Sequence, residues 1–176
     1  MEKRVSSFLL TLNFPAPVQA ETPYARLVTQ LFGDRMMISN SAGCTTVWGG
    51  SAPAVPYRKD EKGHGPAWGF SLFEDNAEYG LGMYLGYSAV RNEVRQQLLQ
   101  LEGNDRNEKE KRLYDAICLW DHKFAETSGT RERAENLITC LEENIHMEGI
   151  KEICSREDFL IKRSNWIFGG DGWAYD

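Results

Sequence analysis

The chain has 176 residues, 41% hydrophobic and 26% charged, which are the proportions of an ordinary globular domain and exclude a collagenous, wholly disordered or coiled-coil chain. Twenty Lys and Arg against 26 Asp and Glu leave a net charge of −6 with no basic stripe interleaved with aromatics, so no nucleic-acid partner is expected. No apolar run approaches the roughly 20 residues that span a bilayer, so no membrane is expected either.

The first twenty residues stand apart. Lys3 and Arg4, an apolar stretch Val5 to Leu12 interrupted by Ser6, Ser7 and Thr11, and the ending Val18-Gln19-Ala20 resemble a weak secretory signal. Thr22 before Pro23 predicts a helix start, with Thr as the cap and Pro at the first helical position. Leu27, Val28, Leu31 and Phe32 continue it at helical spacing, and Gly33 supplies the stop. Met36 to Ile38 predicts a strand, and Ser39 to Cys44 a loop of small residues after it. From Gly49 to Phe73, glycines and prolines alternate with Trp48, Tyr57, Trp68, Phe70 and Phe73, too aromatic for a solvated linker and too broken for a helix. An ordered, packed loop is expected, with Trp48, Trp68 and Phe73 as core anchors. Glu74, Asp75 and Glu78 fall at a loop-to-helix boundary, where capping and the helix dipole account for them.

Three helices follow. Val90, Val94, Leu98 and Leu101 mark the first, with Arg91, Arg95 and Gln96 turned away and Gly103-Asn104-Asp105 ending it. Leu113, Ile117, Trp120 and Phe124 mark the second. Leu137, Ile138, Leu141 and Ile145 mark the third, after Ser128-Gly129. Asn165 to Phe168 predicts a buried strand running into Gly169-Gly170-Asp171-Gly172. There is no internal repeat.

The last of these carries the clearest chemistry. Glycines at the carboxyl end of a strand permit tight turning and close backbone approach to a phosphate, and ligands of α/β sheets gather at that edge. A carboxylate there suits Mg2+, a hard cation held by one or two carboxylates and the substrate's own phosphates. The alternative is an ordinary strand-ending turn. Cys44, just past a strand, is either a nucleophile or ligand or a packed thiol. Cys118, Cys140 and Cys154 follow at spacings of 74, 22 and 14 residues, which fit neither a zinc site nor a disulfide framework, so they are read as structural and a reducing, cytoplasmic setting is expected. His64, His122 and His146 are scattered and suggest no triad.

Taken together, Glu21-Thr22-Pro23-Tyr24, Leu31 to Met36, Ala42-Gly43-Cys44, Gly49 to Pro53, Gly65 to Trp68, Ser71 to Glu78 and Gly169 to Asp176 resemble the C-terminal thiamine diphosphate-binding domain of the pyruvate:ferredoxin (flavodoxin) oxidoreductases, nearly end to end over residues 21–176. The resemblance implies an α/β fold: an incomplete, mostly parallel sheet flanked by helices, with a helical insertion at about 78–150. It implies thiamine diphosphate and Mg2+ as cofactors, with Asp171 a magnesium ligand and Gly170, Gly172 and Trp173 lining the diphosphate. Glu21 would contact the thiamine cofactor, and Cys44 would touch it while serving as one ligand of a 4Fe–4S cluster. Pyruvate, coenzyme A and ferredoxin or flavodoxin are the implied reactants, the rest of a longer polypeptide the implied partner, and a homodimer the implied assembly.

The departures carry equal weight. Where the family places a Cys-x-x-Cys-Gly segment, this chain reads Pro15 to Ala20, without cysteine, and the family's fourth cluster ligand, its further magnesium ligands and an asparagine fall beyond residue 176. One cysteine of four does not hold a 4Fe–4S cluster. A codon choice for Asn13 to Ala20, read one base earlier, spells the family's own cysteine-bearing run, so residues 1–20 are expected to be an out-of-frame translation. The expectation is therefore a domain over 21–176, truncated at its C-terminus and inactive alone. Its rivals are a non-catalytic scaffold of the same fold and a secreted globular protein.

Overall fold

The computed structural model describes residues 21–50, 55–73, 75–101 and 107–169. The signal-like segment 1–20, the stop expected at Gly103 to Asp105, Glu74 and the stretch from Gly170 onward lie outside them. The described chain forms two compact units, one containing residues up to Tyr84 and from Arg163 onward, the other Leu85 to Lys162.

The first unit is α/β, as the resemblance implies. Helix α1 (Glu21–Phe32) passes through a single 3-10 turn, Gly33–Arg35, into strand β1 (Met36–Asn40). Glu21 is already helical, so Thr22 and Pro23 lie within the described helix and not at its first residue. Strand β1 is central in the order β2-β1-β3, and both neighbours run parallel to it. All five of its residues are buried, as expected of a parallel strand covered on both faces. Ile38 stands in register between Trp68 and Trp166, and Asn40 between Phe70 and Phe168.

Several local expectations are corrected by the fold. The strand after Gly33 includes Ser39 and Asn40, both fully buried, because tertiary hydrogen bonds replace their lost hydration. Cys44 opens a short helix, α2 (Cys44–Gly49), and does not lie in a loop. The Gly- and Pro-rich stretch contains strand β2 (Ala67–Phe70), whose pairing with β1 is non-local and leaves no periodicity in four residues. Strand β3 (Ser164–Phe168) is half-buried, since among the described residues only β1 pairs with it. The aromatic loop is packed as expected: Trp48, Tyr57, Trp68 and Phe70 contact one another in succession. Trp48 is buried and Trp68 partly so, but Phe73 is 74% exposed and anchors nothing within the described chain.

Helix α3 (Asn76–Leu99) begins in the sheet unit and ends in the second, all-helical unit. That unit adds α4 (Glu108–His122), α5 (Thr130–Glu143), α6 (Ile150–Cys154) and the 3-10 turn Glu157–Leu160. Its helical content runs to Leu160, past the expected boundary near 150. Asn107 starts α4 by accepting from the N–H groups of Lys109 and Glu110, each at 3.0 Å. Val94, Leu98, Leu113, Ile117, Trp120, Leu137, Leu141, Ile150, Ile153 and Leu160 form one continuous core. Arg91 is in that packed layer and not turned away: it lies over Phe124 (3.8 Å) and Trp120 (5.2 Å). Ile145 follows the end of α5 and is exposed. Cys140 is buried, Cys154 partly buried and Cys118 exposed; all three are free thiols. Among the described residues no helix is long and apolar enough to cross a membrane.

Candidate functional site at the carboxyl edge of the sheet

Because the three strands are parallel, their carboxyl ends meet at one edge, and the segments after Asn40, Phe70 and Phe168 leave from it. Ser41 follows β1 there and donates its backbone N–H to the Phe168 carbonyl at 2.9 Å. Its hydroxyl bonds the Thr45 hydroxyl at 3.0 Å, and its carbonyl accepts from the Thr46 hydroxyl at 3.2 Å. Gly43 sits at φ +83°, a left-handed conformation that an L side chain rarely adopts, and turns the chain into α2. This turn sets the backbone of Cys44 at the same edge, four residues beyond β1.

The edge is tied together by buried amides. Asn40 donates from Nδ2 to the Gly69 carbonyl (3.3 Å) and accepts at Oδ1 from the Tyr57 hydroxyl (2.8 Å), linking β1 to β2 and to the aromatic loop. Asn76, fully buried at the start of α3, donates from Nδ2 to the Phe168 carbonyl at 3.0 Å. Its Oδ1 accepts from the Ser39 hydroxyl, which also reaches the Asn76 carbonyl at 3.3 Å. Beside it, the Asp75 carbonyl accepts the Tyr79 N–H at 2.9 Å, while its carboxylate Oδ1 is buried without a hydrogen-bond partner.

The residues singled out from the sequence fall as follows. Cys44 has its backbone at the edge. Gly170, Asp171, Gly172 and Trp173 lie outside the described residues, but Gly169 is described and follows β3 directly, so the chain enters that segment from the same edge. Glu21 is the first described residue of α1, which joins the amino end of β1 through the 3-10 turn. Cys118, Cys140 and Cys154 belong to the helical unit. Among the described residues no three His, Cys, Asp or Glu side chains gather as a metal site. Ser39, Asn40 and Asn76 had no assigned role; the available signal was polar residues closing an apolar strand run, which periodicity treats as the start of a loop.

No family model matches the chain. Relatives do. It is 51% identical over 162 residues to a pyruvate-flavodoxin oxidoreductase of Klebsiella pneumoniae, and 48% identical over 160 residues to one of Enterobacter agglomerans. It is 43% identical over 164 residues to the pyruvate:ferredoxin oxidoreductase of Moorella thermoacetica, and each match takes in 89% of this chain. The chain is similar to one segment of these oxidoreductases. It spans only 13 to 14% of the length of these three relatives. Identity of this order over nearly the whole chain means that the parallel sheet and the helical unit are features of that segment.

Proposed function

We propose that the chain contributes part of a thiamine diphosphate–Mg2+ site to a pyruvate:ferredoxin or flavodoxin oxidoreductase. The observation that carries the reading is the 51% identity to a pyruvate-flavodoxin oxidoreductase, in a chain whose Gly-Asp-Gly run follows a strand of a parallel sheet. When bound, thiamine diphosphate supplies the carbon nucleophile that adds to the carbonyl of a 2-oxo acid. The chain's own part is to hold it: Asp171 as an oxygen ligand to Mg2+, Gly170 and Gly172 admitting the diphosphate close to the backbone, and Trp173 as a wall beside it. Glu21 and Cys44 are further contacts to the cofactor in this reading. The orphaned, buried Asp75 Oδ1 supports the fit, because an unpaired carboxylate oxygen at this edge suits a hard cation or a donor group of the ligand.

This chain by itself does not supply the four ligands of a 4Fe–4S cluster. Its other three cysteines are on helices or at a helix end in the helical unit, one of them within that unit's core, and a cluster needs four thiolates. Pyruvate, coenzyme A, ferredoxin or flavodoxin and a homodimeric assembly belong to this reading as properties of the whole enzyme. Three free thiols agree with a reducing, cytoplasmic setting.

The test is calorimetric titration of the purified chain with thiamine diphosphate in the presence and absence of Mg2+. Saturable binding that requires Mg2+ and disappears in Asp171→Ala is the expected result. Absence of saturable binding by the unsubstituted chain overturns the proposal and leaves a scaffold of the same fold without cofactor.

A further inference from the structure

We propose that Asn76 is a positioning residue for the cofactor site, holding the exit of β3 from which the sequence runs on to Gly-Asp-Gly; the inference rests on the function proposed above. The Phe168 carbonyl is the last of β3, and it accepts two hydrogen bonds, from Ser41 N–H at 2.9 Å and from Asn76 Nδ2 at 3.0 Å. A carbonyl oxygen has two lone pairs, so both are engaged, and the donors come from different elements, the extension of β1 and the first residue of α3. The peptide plane between Phe168 and Gly169 is thereby fixed. Asp171 is three residues beyond Phe168 along the chain.

The same bonds admit a plainer account, in which Asn76 simply fastens α3 to the sheet. Two observations favour positioning. First, β3 is already held to β1 by a parallel ladder from Ser164 to Phe168, and to α3 by Asn165 Nδ2 donating to the Gly80 carbonyl at 2.9 Å. Fastening is thus provided elsewhere, and what Asn76 adds is at the terminal carbonyl. Second, the amide is itself held in one orientation, with Oδ1 accepting from the buried Ser39 hydroxyl, so Nδ2 is the group directed at Phe168. Only an amide accepts from Ser39 and donates to Phe168 at once, a division of roles that aspartate and leucine, of similar size, lack.

Three variants separate the accounts. Ser39→Ala removes the acceptor-side partner and leaves the bond to Phe168. Asn76→Ala removes both, and Asn76→Asp keeps the shape while setting an oxygen against the Phe168 carbonyl. Affinity for thiamine diphosphate with Mg2+ is read by calorimetry and Tm by circular dichroism. The expected result is that Ser39→Ala lowers Tm but leaves affinity within about twofold, whereas either Asn76 variant weakens binding about tenfold, equivalent to ~1.4 kcal/mol. Should Asn76→Ala fail to fold, Asn76→Asp carries the comparison. Wild-type affinity in a folded Asn76 variant overturns the positioning role alone, as does a loss of affinity that merely tracks Tm across all three. Failure of the unsubstituted chain to bind overturns the proposed function and this inference with it.

Discussion

Trp120→Phe tests whether the helical unit depends on one buried hydrogen bond. Trp120 is 2% exposed, its indole N–H donates to the Leu160 carbonyl at 2.8 Å in a buried setting, and its ring meets Phe124 edge-on at 5.2 Å. The bond joins α4 to the 3-10 turn Glu157–Leu160 across 40 positions of sequence. Phenylalanine keeps an aromatic ring but leaves the carbonyl without its donor, a cost of about 1–3 kcal/mol. The smaller ring forfeits roughly 1 kcal/mol of apolar burial, and the weaker attraction for the Arg91 guanidinium adds about 0.5 kcal/mol. The sum is about 2.5–4.5 kcal/mol, which for a unit of this size corresponds to a fall in Tm of order 10–36 °C. Urea unfolding followed at 222 nm measures it, since most of the helix lies in this unit. Trp120 is also the one tryptophan between Leu85 and Lys162, so the difference in fluorescence between the unsubstituted chain and Trp120→Phe reports that unit. A loss below about 1 kcal/mol would refute the argument that the indole–carbonyl bond fixes the turn.

Burial pulls the Arg91 pKa down from the usual guanidinium range to about 10, a protonation cost of about 3 kcal/mol, so the unfolded chain binds the proton more tightly and stability should rise with pH from about 10 upward. Arg91→Met removes that cost along with the bond to the Phe124 carbonyl and the ring contacts; denaturation should find it within about 1 kcal/mol of the parent, with Arg91→Ala lower by about 2 kcal/mol for the space it leaves. A Cβ at Gly65 would stand 2.7 Å from the Arg58 carbonyl oxygen and 3.1 Å from Lys59 Cα, both main chain, so Gly65→Ala should lower stability by about 1–3 kcal/mol. Gly82→Ala in α3 meets open space and should raise stability by about 0.5–1 kcal/mol in the same melts. Burial raises the Cys140 and Cys154 thiols above the usual range, so iodoacetamide at pH 8 should label exposed Cys118 before either in peptide maps. Thiols raised in the folded state give stability that is complete below the ordinary thiol pKa and is lost as pH passes the folded value.

The helical unit was legible because its signal is local. Val94 and Leu98, Leu113 to Trp120, and Leu137 with Leu141 recur at helical spacing, and these residues are the core. Arg91 escaped because charge was read as a mark of solvent, whereas guanidinium is planar, weakly hydrated and able to stack on Trp120 and Phe124. The sheet was less legible. Strand β2 contains Gly69 after Pro66, and only its pairing with Met37 to Asn40, some 30 positions earlier, makes it a strand. Ser39, Asn40 and Asn76 were opaque for the same reason: their burial depends on partners at Gly69, Tyr57 and Phe168 that no periodicity reveals. The roles proposed for Glu21, Cys44 and Gly170 to Trp173 rest on resemblance across many runs, which implies a site without describing its geometry.

The two units differ in how completely they bury their apolar residues, and that difference has a physical meaning. The helical unit encloses Leu98, Leu113, Leu137, Leu141, Ile150, Ile153 and Leu160, each at most 1% exposed. In the sheet unit, Tyr24, Leu27 and Leu31 are all more than half exposed, and their spacing sets them along one face of α1. Leu81 and Tyr84 repeat this on α3, while Leu72 and Phe73 do so after β2, at the edge where the site is proposed. Single exposed apolar residues need no account, but repeated stripes on successive elements mark surfaces suited to further protein. Strands β2 and β3 each pair on one side only within the described chain, leaving main-chain groups free to bond another strand. A chain that matches 13 to 14% of its relatives' length would present such surfaces wherever the remainder packs in them. Among the described residues, the fold therefore divides into a helical unit with its own core and a sheet layer that holds the carboxyl edge but leaves both its flanks and its helix faces open to partners.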